Sequence, residues 1–412
     1  MKSKPKTIAF YGLFGQQNWG NEWTLEAMIS NVRRYFPDAM LRCFCTGPDD
    51  VAARHRIAAF PISNRYTHGY PPPKRRPRSA LGGLLHTAMR IPNEILHWIR
   101  VFRSLKGVDM LVVPGTGLLT DFATNPLGGP YILFKWSVVA KLRRCKLLFV
   151  SVGAGPMSHP MTKWFIKRAL SLADYRSYRD GYSRDFLKAI GFAAHNDPLY
   201  PDLVFSLPLE VVPEREHRNG SKPIIGVGVK DYVGKLGLPE CGEGKYRDFI
   251  AELGAFVSCL IDNRYPVRLL IGDTLYDNTV KEDVLEWLRQ RGQALDSASI
   301  TNANVSSGAE LLLELAATDI VVSARFHNVL VGLMLRKPAI SLSYHEKFRA
   351  LVAGVGLPQY CHDIDELDAG KLAAQVEELD KRAADLRPQI KRKVDEYREA
   401  LEEQYARMFQ TA

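Results

Sequence analysis

Short apolar segments alternate with segments of helical periodicity along the whole chain. In the first half, apolar runs at 7–11, 40–45, 110–113 and 147–152 have the length of buried strands. Between the runs, apolar residues recur every three or four positions, as over 22–35, which is typical of amphipathic helices. This alternation predicts an α/β fold with a mainly parallel, doubly wound sheet.

A second strand series follows a change in composition. Residues 207–222 are rich in Pro, Glu, Arg, Asn and Gly, which is typical of a linker, and a new strand pattern begins at 223–229. The sequence therefore predicts an N-terminal α/β domain over 1–206 and a second α/β domain over 223–364. We expect a cleft between these two domains.

The last segment, 365–412, has the pattern of one long helix. Its apolar residues recur in steps of three and four, apart from one step of five. This predicts a long C-terminal amphipathic helix, with a kink at Pro388.

The composition of the chain says less about the class of protein than the alternation of strand and helix patterns does. The 412 residues are 46% hydrophobic and 24% charged, which is ordinary for a globular protein of two domains. The net charge of +10 suits nucleic acid, an acidic membrane surface or anionic substrates. Charge alone does not choose among these partners.

Cysteine usage and the absence of targeting patterns bear on the compartment. The six cysteines lack C-x-x-C pairs and zinc-ligand spacing. No signal-peptide pattern follows the first residues, and no run of about 18 apolar residues occurs. We therefore expect a soluble, cytoplasmic protein in a reducing compartment.

A basic stretch followed by an amphipathic pattern covers 71–105. The Pro-rich segment 71–78 is strongly basic, and the apolar positions after it are interspersed with Arg90, Arg100 and Arg103. An interfacial helix attracted to anionic lipid would have this pattern, although Pro92 interrupts it. Ordinary surface packing explains the same pattern, so peripheral contact with the inner face of a membrane stays an open alternative.

The main candidate site lies where a strand passes into a helix. The run 320–322 predicts a buried strand, and Arg325 and His327 stand between it and a helical pattern. Ligands bind at this edge of open α/β sheets, and a helix N-terminus favours an anion. Arg325 offers a bidentate donor and His327 a proton carrier near neutral pH. After the next strand come Tyr344 and Lys347. The alternative is an arginine that caps the helix beside a histidine packed in the core.

Glycine-bearing loops follow several predicted strands. None has the G-x-G-x-x-G pattern with a distant acid, and none is a Walker A loop, so we predict neither a nucleotide cofactor nor a metal site. Such loops at strand ends can line a cleft with backbone N–H groups. The glycines of the first-half loops are Gly12, Gly15, Gly20, Gly115, Gly117, Gly153 and Gly155.

Charged residues near these loops extend the candidate site. Arg179 ends a short predicted strand, 177–179, and is a second candidate for a phosphate clamp. Asp121 follows a glycine loop at a strand edge, which favours a functional role. For Glu22 and Asp180, helix capping or surface solvation explains the position equally well.

The order of these motifs resembles that of the polysaccharide pyruvyl transferase family over residues 8–358. The N-terminal motif of the family, Asn-x-Gly-Asp-Glu, is matched from Asn18 to Glu22, with Asn21 where Asp is usual. Lys230 stands where the family often has arginine. Further matches are Gly115, Gly117, Asp121, Gly153, Gly155, Pro156, Arg179, Asp180, Ser183, Asp197, Pro198, Asp202, Arg325, His327, Pro338, Tyr344 and Lys347.

The resemblance implies a fold and an activity. The fold is that of GT-B glycosyltransferases, with two Rossmann-like domains, the acceptor side in the first and the donor side in the second. The activity is transfer of the pyruvyl group of phosphoenolpyruvate to a sugar, as a ketal across two hydroxyls. The implied partners are phosphoenolpyruvate and a sugar or lipid-linked glycan acceptor.

The resemblance also implies roles for individual residues. Because the donor carries a phosphate and a carboxylate, we expect Arg325, Arg179, Lys347 and Lys230 to hold it. We expect His327 to act as acid or base, and Asp121 to orient the sugar or accept a hydroxyl proton. The residues expected to bind the sugar or shape its loops are Asn18, Glu22, Gly115, Gly117, Gly153, Gly155 and Tyr344.

Three other interpretations stay open at this point. A glycosyltransferase using a nucleotide sugar would have the same architecture. A non-catalytic adaptor for a membrane or nucleic acid would suit the charge, but the basic residues are dispersed and no RNA-binding aromatic signature occurs, so we expect no nucleic-acid partner. A dinucleotide-dependent oxidoreductase fits least, because its fingerprint is incomplete.

Overall fold

A computed structural model of the protein describes residues 5–63, 90–121, 124–209, 221–231 and 243–410. The chain divides into two compact units. The first unit contains the chain up to Gln16, Thr24–Leu203 and the residues from Tyr405 onward, and the second contains Gln17–Trp23 and Val204–Gln404.

This division differs from the predicted domains at one internal segment. Gln17–Trp23 precedes most of the first unit in the sequence but groups with the second unit. The predicted boundary at residue 206 lies close to the observed one at Leu203. Most of the predicted linker, residues 210–220, lies outside the described residues.

The first sheet has six parallel strands in the order β3-β2-β1-β4-β5-β6. This is the strand order of a doubly wound Rossmann sheet. The strands are β1 (Thr7–Gly12), β2 (Met40–Cys45), β3 (Ala58–Pro61), β4 (Met110–Pro114), β5 (Lys146–Val152) and β6 (Tyr175–Tyr178). The helices along this part of the chain are α1 (Trp19–Tyr35), α2 (Pro48–His55), α3 (Arg90–Ser104), α4 (Gly129–Leu142), α5 (Pro160–Ser171) and α6 (Gly181–Ala189).

The second sheet repeats the same strand order with its own six parallel strands, β12-β11-β10-β7-β8-β9. These strands are β7 (Ile225–Gly228), β8 (Val267–Leu270), β9 (Ile300–Thr301), β10 (Ile320–Ser323), β11 (Ala339–Ser343) and β12 (Cys361–Asp363). The helices are α7 (Glu243–Asp262), α8 (Asp277–Gln290), α9 (Gly308–Ala316), α10 (Phe326–Met334), α11 (Glu346–Gly354) and α12 (Ala369–Gln410). The predicted α/β class with two doubly wound sheets is confirmed, whereas the cleft expected between the domains stays a prediction.

The central strands are buried along their whole length because both faces of each sheet are covered. Every residue of β1, β4 and β10 is buried. In the first unit, the Trp136 ring of α4 lies 4.4 Å from the Phe44 ring and 5.7 Å from the Tyr11 ring. These aromatic contacts fix α4 against β1 and β2.

The long C-terminal helix is also confirmed, as α12, with 42 residues and Pro388 inside it. Eight of the predicted apolar positions are buried in it. They are Leu372, Val376, Leu379, Leu386, Ile390, Val394, Leu401 and Tyr405. The helix starts later than predicted, at Ala369, because Ile364–Glu366 form a short 3₁₀ helix and Asp368 accepts a hydrogen bond from the N–H of Lys371.

Two further features concern thiols and membrane spans. The described cysteines are free thiols, and Cys241 lies outside the described residues. None of the described helices combines the length and the apolar character that a membrane span requires.

Candidate active site

In the second unit, four neighbouring strands end side by side, and each is followed by polar residues. The sheet order is β8-β7-β10-β11. The residues that follow these strands include Asp273, Lys230, Arg325 and Tyr344, respectively. The chain changes direction across the sheet between β7 and β10, and ligands of open α/β sheets bind outside such a switch point. The fold therefore supports a ligand site at the predicted residues Lys230 and Arg325.

Arg325 is held in place by a buried carboxylate. Its Nε donates to Oδ2 of Asp277 at 2.7 Å, and its Nη2 pairs with Oδ1 of the same side chain. Asp277 is fully buried and also accepts from the N–H groups of Gly272 at 2.8 Å and Asp273 at 3.0 Å. Burial opposes the charge of Arg325, but Asp277 outweighs it and raises the pKa of the guanidinium. The guanidinium is thus permanently charged and fixed in orientation.

The geometry of Arg325 also decides against its role as a helix cap. Arg325 occupies the N-cap position of α10, but its side chain makes no capping hydrogen bond. Within the part of the chain that the structure describes, its Nη1 has no hydrogen-bond partner. One edge of the guanidinium is therefore available to an anion.

Lys230 adds a titratable cation at the end of β7. Its Nζ lies 4.4 Å from the centroid of the Tyr344 ring. Burial first, and then the positive charge of Arg325, lower the pKa of Lys230 to about 8. An anion bound between these two cations would relieve their mutual repulsion.

Lys347 lies among three aromatic rings. Its Nζ is 5.1 Å from the centroid of Phe326, 5.7 Å from that of Tyr344 and 5.6 Å from that of Phe348. Its backbone N–H donates to the side chain of His345, which caps α11. Lys230 and Lys347 therefore share the Tyr344 ring as a common neighbour.

His327 lies in the first turn of α10 and is half-buried. Its imidazole packs edge-on against Phe326, with 5.1 Å between the ring centroids. Gly20 also lies beside the imidazole, and a Cβ added there would overlap with Nδ1 of His327. Glycine at position 20 therefore makes room for the imidazole.

The segment that carries Gly20 is bonded to the loop after β8. The N–H of Trp19 donates to the carbonyl of Gly272 at 3.0 Å, and Nδ2 of Asn18 donates to Oδ2 of Asp273 at 3.2 Å. Glu22, in the first turn of α1, is buried. These contacts explain why Gln17–Trp23 groups with the second unit, and they bring the predicted residues Asn18 and Glu22 to the same region as His327.

Two carboxylates of this region, Asp273 and Asp277, were missed by the sequence analysis. Burial raises the pKa of Asp273, opposed by the charge of Arg325 and reinforced by Asp277. A usable signal was present, because both residues lie between the predicted strand at 267–271 and the helix after it. This is the same kind of strand-to-helix junction that drew attention to Arg325.

Arg179, in the first unit, has its charge balanced by two carboxylates. Its Nε donates to Oδ2 of Asp180 at 3.3 Å, and its Nη1 lies 3.5 Å from Oδ2 of Asp202. The guanidinium lies flat on Gly153, where an added Cβ would collide with it. Asp180 also caps α6, with its Oδ1 accepting from the N–H of Ser183 at 2.7 Å. This geometry favours a role for Arg179 in holding its loop, and its role as a phosphate clamp stays a prediction.

Asp121 is tied to the loop before α5. Its Oδ2 accepts from the N–H of Ser158 at 2.6 Å, the hydroxyl of Ser158 at 2.9 Å and the N–H of His159 at 3.0 Å. Burial acts to raise the pKa of this carboxyl, but these donors outweigh it and the pKa is lowered. A carboxylate with three donors is a weak proton acceptor, so the geometry favours a loop-fastening role, and the predicted catalytic role is untested.

The remaining predicted glycines lie on the loops of the first unit. Gly115 packs against the carbonyl of Ser151, and the N–H of Gly155 donates to the carbonyl of Leu119 at 2.9 Å. Gly117 has open space where a side chain would be. In the described residues, no three His, Cys, Asp or Glu side chains are arranged to hold a metal ion.

The comparison with protein families decides the affiliation. The sequence model of the family described as polysaccharide pyruvyl transferase matches residues 18–346, which include the Asn18 and Arg325–His327 motifs. The chain belongs to the polysaccharide pyruvyl transferase family. Among curated proteins, this family member is similar to the amylovoran biosynthesis protein AmsJ of Erwinia amylovora, with 19% identity over 306 residues that cover 71% of each chain.

Solved structures show the same fold for this pyruvyl transferase family member. The UDP-GlcNAc 2-epimerase of Neisseria meningitidis matches with a TM-score of 0.57 and 12% identity, covering 97% of this chain and 100% of the other. A glycosyltransferase of Rickettsia africae matches with a TM-score of 0.56 and 11% identity, covering 99% and 100%. At these identities the likeness is one of fold alone, and the fold is GT-B-like.

Proposed function

We propose that this protein transfers the pyruvyl group of phosphoenolpyruvate to a sugar and forms a pyruvate ketal across two hydroxyls. The family match supports a transferase of polysaccharide biosynthesis. The observation that carries the choice of donor is the crowding of cations at the switch point of the second sheet. There, Lys230 and Lys347 both lie against the Tyr344 ring, and burial, followed by the charge of Arg325, lowers the pKa of Lys230.

Phosphoenolpyruvate suits this arrangement because it carries a phosphate and a carboxylate on a three-carbon frame. The free edge of Arg325 would bind one anionic group in a fixed orientation, since Asp277 holds the guanidinium. Lys230 and Lys347 would bind the other group and gain from the neutralisation of their charges. The donor site is therefore proposed entirely within the second unit.

The reaction needs one proton donor and two oxygen nucleophiles. Protonation of the donor's methylene carbon makes the methyl group, and a sugar hydroxyl oxygen bonds to the adjacent carbon. The bond from that carbon to the phosphate oxygen breaks with its electron pair on phosphate, and a second hydroxyl oxygen takes its place. Of the two hydroxyl protons that are released, one replaces the proton added to the methylene carbon and the other protonates the departing phosphate. The products are therefore a ketal and inorganic phosphate.

We assign the proton transfer to His327. It lies in the first turn of α10 beside Arg325, and its position is set by Phe326 and Gly20. A positioned acid or base contributes about 10²–10⁴-fold to rate. The proposed reaction assigns no proton transfer to Asp121, because hydrogen bonds already lower its pKa.

The acceptor is proposed to be a sugar of a polysaccharide or of its lipid-linked precursor. The direct test incubates the purified protein with phosphoenolpyruvate, carbon-13 labelled at the methylene, and a panel of glycans. Appearance of a ketal methyl signal with stoichiometric release of phosphate supports the proposal. Turnover of a nucleotide sugar without consumption of phosphoenolpyruvate would instead establish the glycosyltransferase alternative.

A further inference from the structure

Helix α3 presents an apolar stripe to the solvent. Its exposed apolar side chains are Ile95 (55%), Leu96 (57%), Ile99 (42%) and Phe102 (40%). Positions 95, 99 and 102 are spaced by four and three residues, so they share one side of the helix. Single exposed apolar residues are ordinary on a protein surface, but a continuous stripe marks an interaction site.

The inward side of α3 is held by the buried Val101 and by a polar network around Lys135. Glu94 pairs with the buried ammonium of Lys135 in α4 and accepts from the hydroxyl of Tyr131 at 2.8 Å. Nε1 of Trp98 donates to the same hydroxyl at 3.0 Å, and Nδ1 of His97 lies 2.7 Å from the ammonium. Burial, followed by the charge of Lys135, lowers the pKa of His97, so His97 accepts this hydrogen bond. The polar network holds α3 with its apolar stripe outward.

Further exposed apolar residues lie on the two helices that follow. Leu142 of α4 is 65% exposed, and Met161 and Trp164 of α5 are 45% and 47% exposed. The ring of Trp164 lies 5.4 Å from that of Phe134, which connects α5 to α4. More than half of the large apolar side chains that are exposed in the described parts of the chain belong to α3, α4 and α5.

These three helices are also strongly basic. Glu94, paired with Lys135, is the one acidic residue in their sequences, whereas the whole chain has 45 acidic and 55 basic residues. Apart from the buried Lys135, their basic residues with described side chains are Arg100, Arg103, Lys141, Lys163, Lys167 and Arg168. Guanidinium groups lie over the exposed rings themselves, with Arg143 at 4.6 Å from Phe102 and Arg168 at 5.6 Å from Trp164. An apolar surface edged by cations is complementary to the headgroup region of an anionic bilayer.

We infer that the outward surface of α3, α4 and α5 docks on an anionic lipid membrane. The apolar stripe enters the acyl boundary, and the surrounding arginines and lysines bind the lipid phosphates. The inference is independent of the pyruvyl transfer reaction, since it concerns binding alone. The sequence analysis considered membrane contact through 71–105. Residues 71–89 lie outside the described residues, so the inference concerns α3 together with α4 and α5.

The test measures co-sedimentation of the full-length protein with vesicles. Vesicles of phosphatidylcholine and phosphatidylglycerol are compared with vesicles of phosphatidylcholine alone. We expect retention on the anionic vesicles only, weakened by added salt. Arg100→Glu with Arg103→Glu should lower the partition coefficient by at least about tenfold, because each basic residue near the surface contributes on the order of 1 kcal/mol.

Matched variants distinguish binding through this surface from the effects of net charge and of exposed apolar residues elsewhere in the protein. Leu96→Ser with Ile99→Ser should reduce vesicle binding, whereas Leu275→Ser with Leu313→Ser, which change similarly exposed residues of the second unit, should not. Lys371→Glu with Lys381→Glu on exposed positions of α12 controls for net charge. Circular dichroism of each variant verifies folding.

Three outcomes would overturn the inference. One is the absence of retention on anionic vesicles, and another is an equal loss of binding in the control variants. The third is a wild-type dimer in lipid-free solution that Leu96→Ser with Ile99→Ser converts to a monomer. This last result would show that a second copy of the chain covers the stripe.

Discussion

The two units have the same strand order but different charged side chains at the carboxyl ends of their sheets. In the first unit, Arg179 faces the two carboxylates of Asp180 and Asp202. In the second, Arg325 is paired with Asp277, and Lys230 is added with a pKa lowered to about 8. The first arrangement places two carboxylates against one guanidinium, whereas the second adds Lys230 and Lys347 beside an arginine that is already paired, and these additional cations favour an anion. The two sheets thus provide equivalent edges, and side chains decide which one suits the proposed anionic donor.

The largest effect is expected at His327. His327→Ala should lower the rate of ketal formation by about 10²–10⁴-fold, because a positioned acid or base is lost. Binding of phosphoenolpyruvate should persist, since the cations of the second unit remain. Steady-state rates combined with donor binding by calorimetry check both statements. Full activity in this variant would end the assignment of His327.

A smaller effect is expected when the space beside His327 is filled. Gly20→Ala should displace the imidazole, because the added Cβ overlaps with it, and lower kcat by about 10²-fold. KM for the donor should change little. Gly244→Ala is the matched control, because no atom lies near its added Cβ. Equal rates for the Gly20→Ala protein and the wild type would show that this contact does not position His327.

Replacing arginine by lysine in each unit compares the two candidate donor sites directly. Arg325→Lys should raise KM for phosphoenolpyruvate by about tenfold to a hundredfold, because a charged hydrogen bond contributes about 1.5–3 kcal/mol. Arg179→Lys should raise it less, since Asp180 and Asp202 already balance that charge. Initial-rate measurements over a range of donor concentrations compare the two. A larger increase in KM for Arg179→Lys would indicate that the donor binds in the first unit.

The smallest effect is expected in the pH dependence. The lowered pKa of Lys230 means that its cation is present below about pH 8 and lost above it. The value of kcat/KM for the donor should therefore fall by about tenfold as pH rises through this range, since kcat/KM reports groups of the free enzyme. Lys230→Arg carries a permanent charge and should move this decline to higher pH. An unchanged profile in that variant would assign the decline to another group.

The α/β class and the long helix could be predicted because they follow from local periodicity. The strand predicted at 110–113 and the helix at 22–35 each differ from the observed elements by a few residues. Arg325 and His327 could be found because a strand-to-helix junction is visible in a short window of sequence. Their roles follow from the resemblance and from the chemistry of the side chains.

The partners of these residues could not be predicted, because they come from distant parts of the chain. Gly20 meets His327, and Asp277 pairs with Arg325, only after two separate segments reach one sheet edge. The lowered pKa of Lys230 depends on burial, which periodicity does not measure. Likewise, the amphipathic pattern around 90–104 gave no indication of which side of α3 faces outward, since this depends on Lys135.

The most direct test of the donor site is an NMR titration of the Lys230 side chain with isotopically labelled lysine. The signal would be assigned by its absence in Lys230→Arg. In the free protein we expect a pKa of about 8. Saturation with phosphoenolpyruvate should raise this pKa, because a bound anion stabilises the ammonium. A pKa that stays unchanged when the donor is bound would contradict the proposal that the cations of the second unit hold it.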